Sequence, residues 1–112
     1  MIKIMENFNY HKMNYDRIMA INKASKKLES LLQKIGYENF STFMVNNPVI
    51  HDSYHDGFYV YKYITKGYSI RLLYRYDGEI LEIHKAHFKK GDKDNSKYID
   101  DFKFYVSQYQ TI

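Results

Sequence analysis

Three side chains that suit phosphate binding, Lys62, Arg71 and His84, recur in a segment whose residue pattern predicts three consecutive β-strands (residues 58–90). Lysine and arginine carry positive charge at neutral pH, and histidine can accept or donate a proton. A row of such groups on one face of a sheet would bind phosphate and stabilise the charge that develops in phosphoryl transfer. The segment therefore indicates a phosphate-rich partner.

The expected strand register brings these three side chains together. Asp77-Gly78 is a strong signal for a two-residue hairpin turn, and Lys66-Gly67 is a weaker one. Two-residue turns would place Lys62 opposite Arg71, and Arg71 opposite His84. The opposite face is then apolar and aromatic, for helices to cover, with the residues Tyr61, Tyr63, Ile70, Leu72, Tyr74, Leu81 and Ile83.

Further basic residues extend the row. Arg75 falls on the same face, and His87, Lys89 and Lys90 end the third strand or follow it. Opposed cations repel, so a sheet selected only for stability would alternate the signs of its charges. The alternative interpretation is that these residues simply occupy the solvated side of a half-exposed sheet, where Glu82 partly neutralises them.

The flanking segments are predicted to be mostly helical. Apolar residues recur at helical spacing from Ile18 to Ile35, with Asn14 as an N-cap, Asp16 in the first turn and Gly36 as a stop. The other expected elements are an edge strand within Met1–Lys12, a short helix from Phe40 that ends at Asn46-Asn47-Pro48, a loop over His51–Gly57, and a C-terminal helix with the apolar stripe Tyr98, Ile99, Phe102, Tyr105, Val106 and Tyr109.

This order of elements predicts one α+β domain over residues 1–112. N-terminal helices pack on a small twisted antiparallel sheet, made of a three-stranded meander and a possible N-terminal edge strand, and a C-terminal helix follows.

Composition narrows the class of protein. The chain of 112 residues has a net charge of +4, 13 tyrosines and no cysteine, which favours an acidic partner and excludes disulfides and thiolate metal sites. His51 and His55 have a spacing that suits no standard metal site, so we expect no metal and no cofactor. No apolar run is long enough to span a membrane, and we expect a cytoplasmic protein with no membrane partner.

The strand motifs resemble those of the RelE/ParE superfamily, the toxins of bacterial toxin–antitoxin systems. That family has a glycine before an aromatic-rich strand, a Gly-Tyr-Arg-Leu-Val-Tyr-like strand, a strand that ends in a Gly-His-Arg-like motif, and then a tyrosine. The matching pieces in this chain are Gly57–Lys62, Gly67-Tyr68 with Arg71–Tyr74, Ile80–Ile83, Ala86–Lys89 and Tyr98.

The resemblance implies a metal-independent endoribonuclease that cleaves mRNA on the ribosome. It also implies a cognate acidic antitoxin, and we expect the free toxin to be a monomer or a weak homodimer. By position, Lys62 matches a catalytic lysine, Arg71 a phosphate-binding arginine and His87 the histidine of the Gly-His-Arg motif. Lys89 or Lys90 stands where the family has a second arginine, and Tyr98 matches a tyrosine that stacks on a base or moves a proton.

The chain also departs from the family pattern. A lysine cannot bind phosphate bidentately as the second arginine would. The segment between Lys90 and Tyr98 is longer than in the motif, and His84 has no counterpart. Two alternatives therefore stay open: a non-enzymatic toxin of the same fold, such as a gyrase inhibitor, and a phage or mobile-element protein that binds nucleic acid or a nucleoprotein without catalysis.

Overall fold

The described part of the chain combines a mixed sheet with helices on both of its faces. The computed structural model describes residues 1–5, 15–47, 51–53, 57–65, 67–89 and 95–109. The elements in chain order are β1 (Ile2–Ile4), α1 (Tyr15–Ile35), α2 (Phe40–Asn46), β2 (His51–Ser53), β3 (Tyr59–Ile64), β4 (Ser69–Tyr76), β5 (Leu81–Phe88) and α3 (Asn95–Tyr109). The expected α+β class is confirmed.

The sheet has the strand order β1-β5-β4-β3-β2. Strands β3, β4 and β5 form the expected antiparallel meander, and β1 is an edge strand as expected, but β1 runs parallel to β5, so the sheet is mixed. The expectation of a loop over His51–Gly57 is wrong for its first part, because His51–Ser53 pairs antiparallel with Tyr59–Tyr61. A three-residue strand is too short to show an alternating pattern.

Helices α1 and α2 cover the apolar face of the sheet. Helix α1 places its buried residues at helical spacing, and Gly36, with φ +88°, ends it while its N–H donates to the Leu32 carbonyl at 2.9 Å. Asp16 lies in the first turn, and the proposed cap Asn14 lies outside the described residues. The buried residues of this layer are Ile21, Ala24, Leu28, Leu32, Phe40, Met44, Tyr61, Ile70, Leu72, Tyr74, Leu81 and Ile83.

Helix α3 covers the other face, which we expected to be a solvated or ligand-binding surface. Its stripe of Tyr98, Phe102 and Val106 packs on Phe58, Val60 and Leu73, and all six are buried. The expected apolar stripe of α3 is confirmed as core. Because α3 covers much of this face, the predicted basic residues do not line an open sheet surface.

The turn between β4 and β5 is wider than expected. Tyr76 and Leu81 are the last paired residues, so four residues rather than two connect the strands. One carboxylate oxygen of Asp77 accepts the N–H groups of Glu79 at 2.9 Å and Ile80 at 2.7 Å, and Gly78 has φ +99°. The Asp-Gly pair forms the turn, but the Asp77 side chain organises a longer loop.

Candidate phosphate-binding site

The central strands bring Lys62, Arg71 and His87 side by side, and we call these three residues the basic row. Lys62 lies opposite Arg71, as the sequence predicts. Arg71 lies opposite His87 rather than His84, so that part of the predicted register is wrong. Lys62 lies on β3, Arg71 on the central strand β4 and His87 on β5.

A bulge explains the changed register. Leu73 pairs with Lys85 but Tyr74 pairs with Ile83, which leaves His84 as an extra residue in β5. An extra residue reverses the alternation of side chains beyond it. His87 therefore lies on the α3 side with Arg71, whereas an unbroken strand would direct it toward α1.

Tyr98 of α3 completes the group. Its ring stacks on His87 with centroids 5.5 Å apart at 28°, and the Arg71 guanidinium carbon lies 5.9 Å from its centroid. The long segment before Tyr98 thus does not keep it away from the strands. Four residues that the resemblance matches, Lys62, Arg71, His87 and Tyr98, therefore lie close together.

Arg71 is a buried cation in an unusual setting. Only 6% of it is exposed, and its Nη1 donates to Ser69 Oγ and to the Ile70 carbonyl, both at 3.2 Å. Within the described ranges its Nε has no acceptor and no carboxylate forms an ion pair with it. Burying an uncompensated charge is unfavourable, so the guanidinium is suited to receive an anion.

Two further residues border the row. The Lys89 N–H donates to the Ser69 carbonyl at 2.7 Å, which fixes the end of β5 beside the start of β4. The side chains of Lys62, His87 and Lys89 are all partly exposed, so a ligand can approach them from solvent. Lys90, the other candidate for the second basic position, lies outside the described residues.

Ser69 is a site residue that the sequence reasoning missed. It is two residues before Arg71, so it lies on the same face, and its hydroxyl accepts a hydrogen bond from the guanidinium. The period of two along a strand was the available signal.

His84 lies apart from the basic row in a closed environment. It is fully buried, with its Nδ1 2.8 Å from the Tyr105 hydroxyl and its Nε2 3.0 Å from a Glu82 carboxylate oxygen. Burial lowers the pKa of His84, and this effect outweighs the opposing hydrogen bond and charge of Glu82, while the positive charge of Arg75 lowers it further. Both ring nitrogens are thus satisfied within the protein.

Arg75, the other predicted phosphate-binding residue, lies near His84. Its guanidinium carbon is 5.2 Å from the Phe58 ring centroid and 5.7 Å from that of Tyr109. The structure therefore divides the predicted residues into two groups: Lys62, Arg71, His87, Lys89 and Tyr98 at one end of the α3-covered face, and Arg75 and His84 at the other.

Comparisons with known proteins give no relative. No family model, curated protein or solved structure matches this chain. Among the described residues, no helix is long and apolar enough to cross a membrane, and no group of histidine and carboxylate side chains could hold a metal ion.

Proposed function

We propose that the basic row binds a backbone phosphate of RNA, and that the protein is a metal-independent endoribonuclease of the RelE/ParE toxin type. The observation that carries this proposal is Arg71, a buried guanidinium with an unpaired Nε and no carboxylate partner among the described residues. Lys62 and His87 flank it on the neighbouring strands. An arginine between a lysine and a histidine matches what a phosphodiester needs for binding and for proton transfer.

The proposed reaction needs only the RNA and these side chains. The ribose 2′-hydroxyl attacks the adjacent phosphorus and forms a 2′,3′-cyclic phosphate, while the bond from phosphorus to the 5′-oxygen breaks. A base takes the 2′-hydroxyl proton and an acid protonates the leaving 5′-oxygen. Arg71 stabilises the charge on the phosphoryl oxygens, and His87 is placed to move a proton. Lys62, on the strand beside Arg71, is the other candidate for the base.

The assignment to a toxin rests on the resemblance, and two observations support it. The chain has a helix pair before an antiparallel meander, as the family does, with the short strand β2 between them. Lys62, Arg71, His87 and Tyr98 also converge, although they come from four different elements. Under this proposal the protein acts in the cytoplasm on ribosome-bound mRNA, and an acidic antitoxin neutralises it.

The direct test is cleavage of mRNA on purified ribosomes. Lys62→Gln and His87→Gln are both partly exposed positions, so these variants should fold, as a thermal melt would verify. We expect each to lose roughly 100-fold or more in cleavage rate. Lys85→Gln is the matched control, because Lys85 lies on the same face but pairs with Asp101 at 2.8 Å. An inactive wild-type protein, or equal rates in all four proteins, would contradict the proposal.

A second candidate function is RNA binding without cleavage. It is favoured by the burial of Arg71 and Tyr98, of which only 6% and 5% are exposed, because a transition state needs direct access to both. Binding would then depend on the outer cations Lys62 and Lys89. The measurement is the affinity for single-stranded RNA against salt concentration. A steep salt dependence with no cleavage product on ribosomes would favour this function over the nuclease.

A further inference from the structure

A cavity of about 570 Å³ lies at the opposite end of the sheet from the basic row. It is bordered by the start of α2, by Gly57 before β3, and by the end of β4 with its turn. Its volume falls within the usual range of small-ligand sites. We call it the tyrosine pocket, after Tyr37, Tyr59 and Tyr76 in its wall.

The aromatic wall of this pocket is held by packing. Phe40 is its centre, with ring centroids 5.1 Å from Tyr59, 5.5 Å from Tyr37 and 6.0 Å from Tyr76. Tyr37 also lies over Gly78, where an added Cβ would meet its ring at 3.4 Å. That distance is an ordinary van der Waals contact, so the ring packs on the turn, and glycine is favoured at position 78 by its backbone φ of +99°. Three tyrosine rings supply electron-rich faces, which attract cations.

Carboxylates complete the lining. Glu38, Asp77 and Glu82 line the pocket, and among its described lining residues Arg75 is the one cation. The Arg75 guanidinium already lies over the Phe58 and Tyr109 rings. The backbone N–H bonds to Asp77 lower the pKa of its carboxyl group, so it stays ionised. The pocket is thus acidic on a chain whose net charge is +4.

We propose that the tyrosine pocket binds the guanidinium group of a ligand, either a free alkylguanidine or an arginine side chain in a polypeptide. A planar guanidinium can stack on a tyrosine ring while it donates two parallel hydrogen bonds to a carboxylate. An ammonium group can do neither as well. This site is separate from the basic row, which has the opposite charge and the opposite place in the sheet.

A second cavity, of about 640 Å³, provides an internal contrast. It lies between α1 and the β3–β4 turn, and it is lined by Lys23 and Lys26 beside the apolar Met19 and Ile70. Two lysines against one carboxylate, Asp16, disfavour a cation there. A ligand that follows the proposed chemistry should leave this cavity unoccupied.

The test is an NMR titration of backbone amides with N-acetyl-L-argininamide. We expect saturable shifts at Gly57, Gly78 and Ser41, and no shift at Lys23 or Gly67. The citrulline analogue has almost the same shape without the charge, and it should produce no saturable shift. An acetyl-Gly-Arg-Gly-amide peptide distinguishes the two sources. Tighter binding of the peptide indicates an arginine in a polypeptide, and equal binding indicates a small free ligand.

Matched variants locate the site. Glu38→Gln and Tyr37→Leu, both at exposed positions, should each weaken binding roughly three- to tenfold. Glu79→Gln removes a similar exposed charge from the adjoining turn, outside the lining, and should leave affinity unchanged. The proposal is overturned by equal shifts with the citrulline analogue, by equal losses in all three variants, or by no shift up to about 50 mM.

Discussion

The two histidines that β5 presents to α3, His84 and His87, lie three residues apart in opposite environments. His84 is fully buried, and both of its ring nitrogens have a partner, Tyr105 and Glu82. His87 is partly exposed, and it stacks on Tyr98 beside the Arg71 guanidinium. Each histidine contacts a tyrosine of α3. His84 does so through a hydrogen bond with Tyr105, and His87 does so by stacking on the Tyr98 ring.

This difference separates a structural role from a binding role. A buried polar group whose partners are all internal holds the fold together and has no capacity left for a ligand. A buried cation that has no carboxylate partner among the described residues, with a partly exposed histidine beside it, is instead placed to contact a ligand. We therefore expect changes around His84 to affect stability, and changes in the basic row to affect binding while stability stays nearly constant.

The largest loss of stability is expected at Phe58, which packs against His84. Its ring is fully buried and makes edge contacts with His84 at 4.9 Å and Tyr109 at 5.4 Å between centroids. Phe58→Ala should lower the free energy of unfolding by about 3–5 kcal/mol, because it leaves a cavity in the core. Urea denaturation measures this change.

Phe104→Ala is the matched control for Phe58→Ala. Phe104 lies on α3 but is 66% exposed, so its removal should change the free energy of unfolding by less than about 0.5 kcal/mol. Similar losses in both variants would mean that α3 does not pack as described.

The next effect is the loss of the His84 hydrogen bonds. His84→Ala should cost about 2–3 kcal/mol, since it leaves the Tyr105 hydroxyl and the Glu82 carboxylate without their partner. Tyr105→Phe alone should cost about 1 kcal/mol. A double-mutant cycle of the two changes should give a coupling near 1 kcal/mol. The equivalent cycle at His87 and Tyr98, whose rings stack with centroids 5.5 Å apart, should give a smaller value.

The contrast between the histidines marks the limit of the sequence reasoning. The pairing of Lys62 with Arg71 follows from a turn at Lys66-Gly67, and Thr65 and Tyr68 do close that turn with a 2.8 Å backbone bond. The predicted pairing of Arg71 with His84 is wrong because it required an unbroken β5 and a two-residue turn between β4 and β5. A bulge adds a residue without a distinctive residue type, so no local pattern at His84 signals it.

The sequence predicts helix α3 and its apolar stripe, but it does not predict which face of the sheet the helix covers. Periodicity identifies a buried side of a helix without saying which face of the sheet receives it. Val60 and Leu73 are apolar residues on the same face as the basic row, and they were the available signal. The resemblance grouped Tyr98 and His87 with Arg71 by motif order rather than by register, and these three side chains lie close together in the structure.

A pH dependence should follow from His84. The folded protein holds a His84 whose pKa is lowered by burial, whereas the unfolded chain has the ordinary value of about 6.5. In that interval the unfolded chain binds more protons, so stability is complete above about pH 6.5 and falls as the pH drops toward the folded value. The slope contributed by this group is at most about 1.4 kcal/mol per pH unit.

Urea midpoints at a series of pH values from about 7.5 to 5.5 measure this slope. The His84→Gln variant keeps some hydrogen bonding but does not titrate, and it should show a shallower decline than the wild type. A His87→Gln variant serves as the comparison. An equal slope in the wild type and in His84→Gln would show that burial of His84 does not control the acid response.

Among the buried positions, the smallest change in stability is expected at Arg71, the most buried member of the basic row. Arg71→Met keeps most of the volume and removes a charge that has no carboxylate partner in the described chain. Replacing a buried charge by an apolar side chain is often neutral or stabilising, so the free energy of unfolding should stay equal or rise by about 1 kcal/mol. The affinity for single-stranded RNA should fall in the same variant. If the Arg71→Met variant is no less stable than the wild type but binds RNA more weakly, the role of Arg71 is binding. A decrease in the free energy of unfolding of more than about 2 kcal/mol would instead give Arg71 a structural role like that of His84. The basic row would then not differ in role from the surroundings of His84.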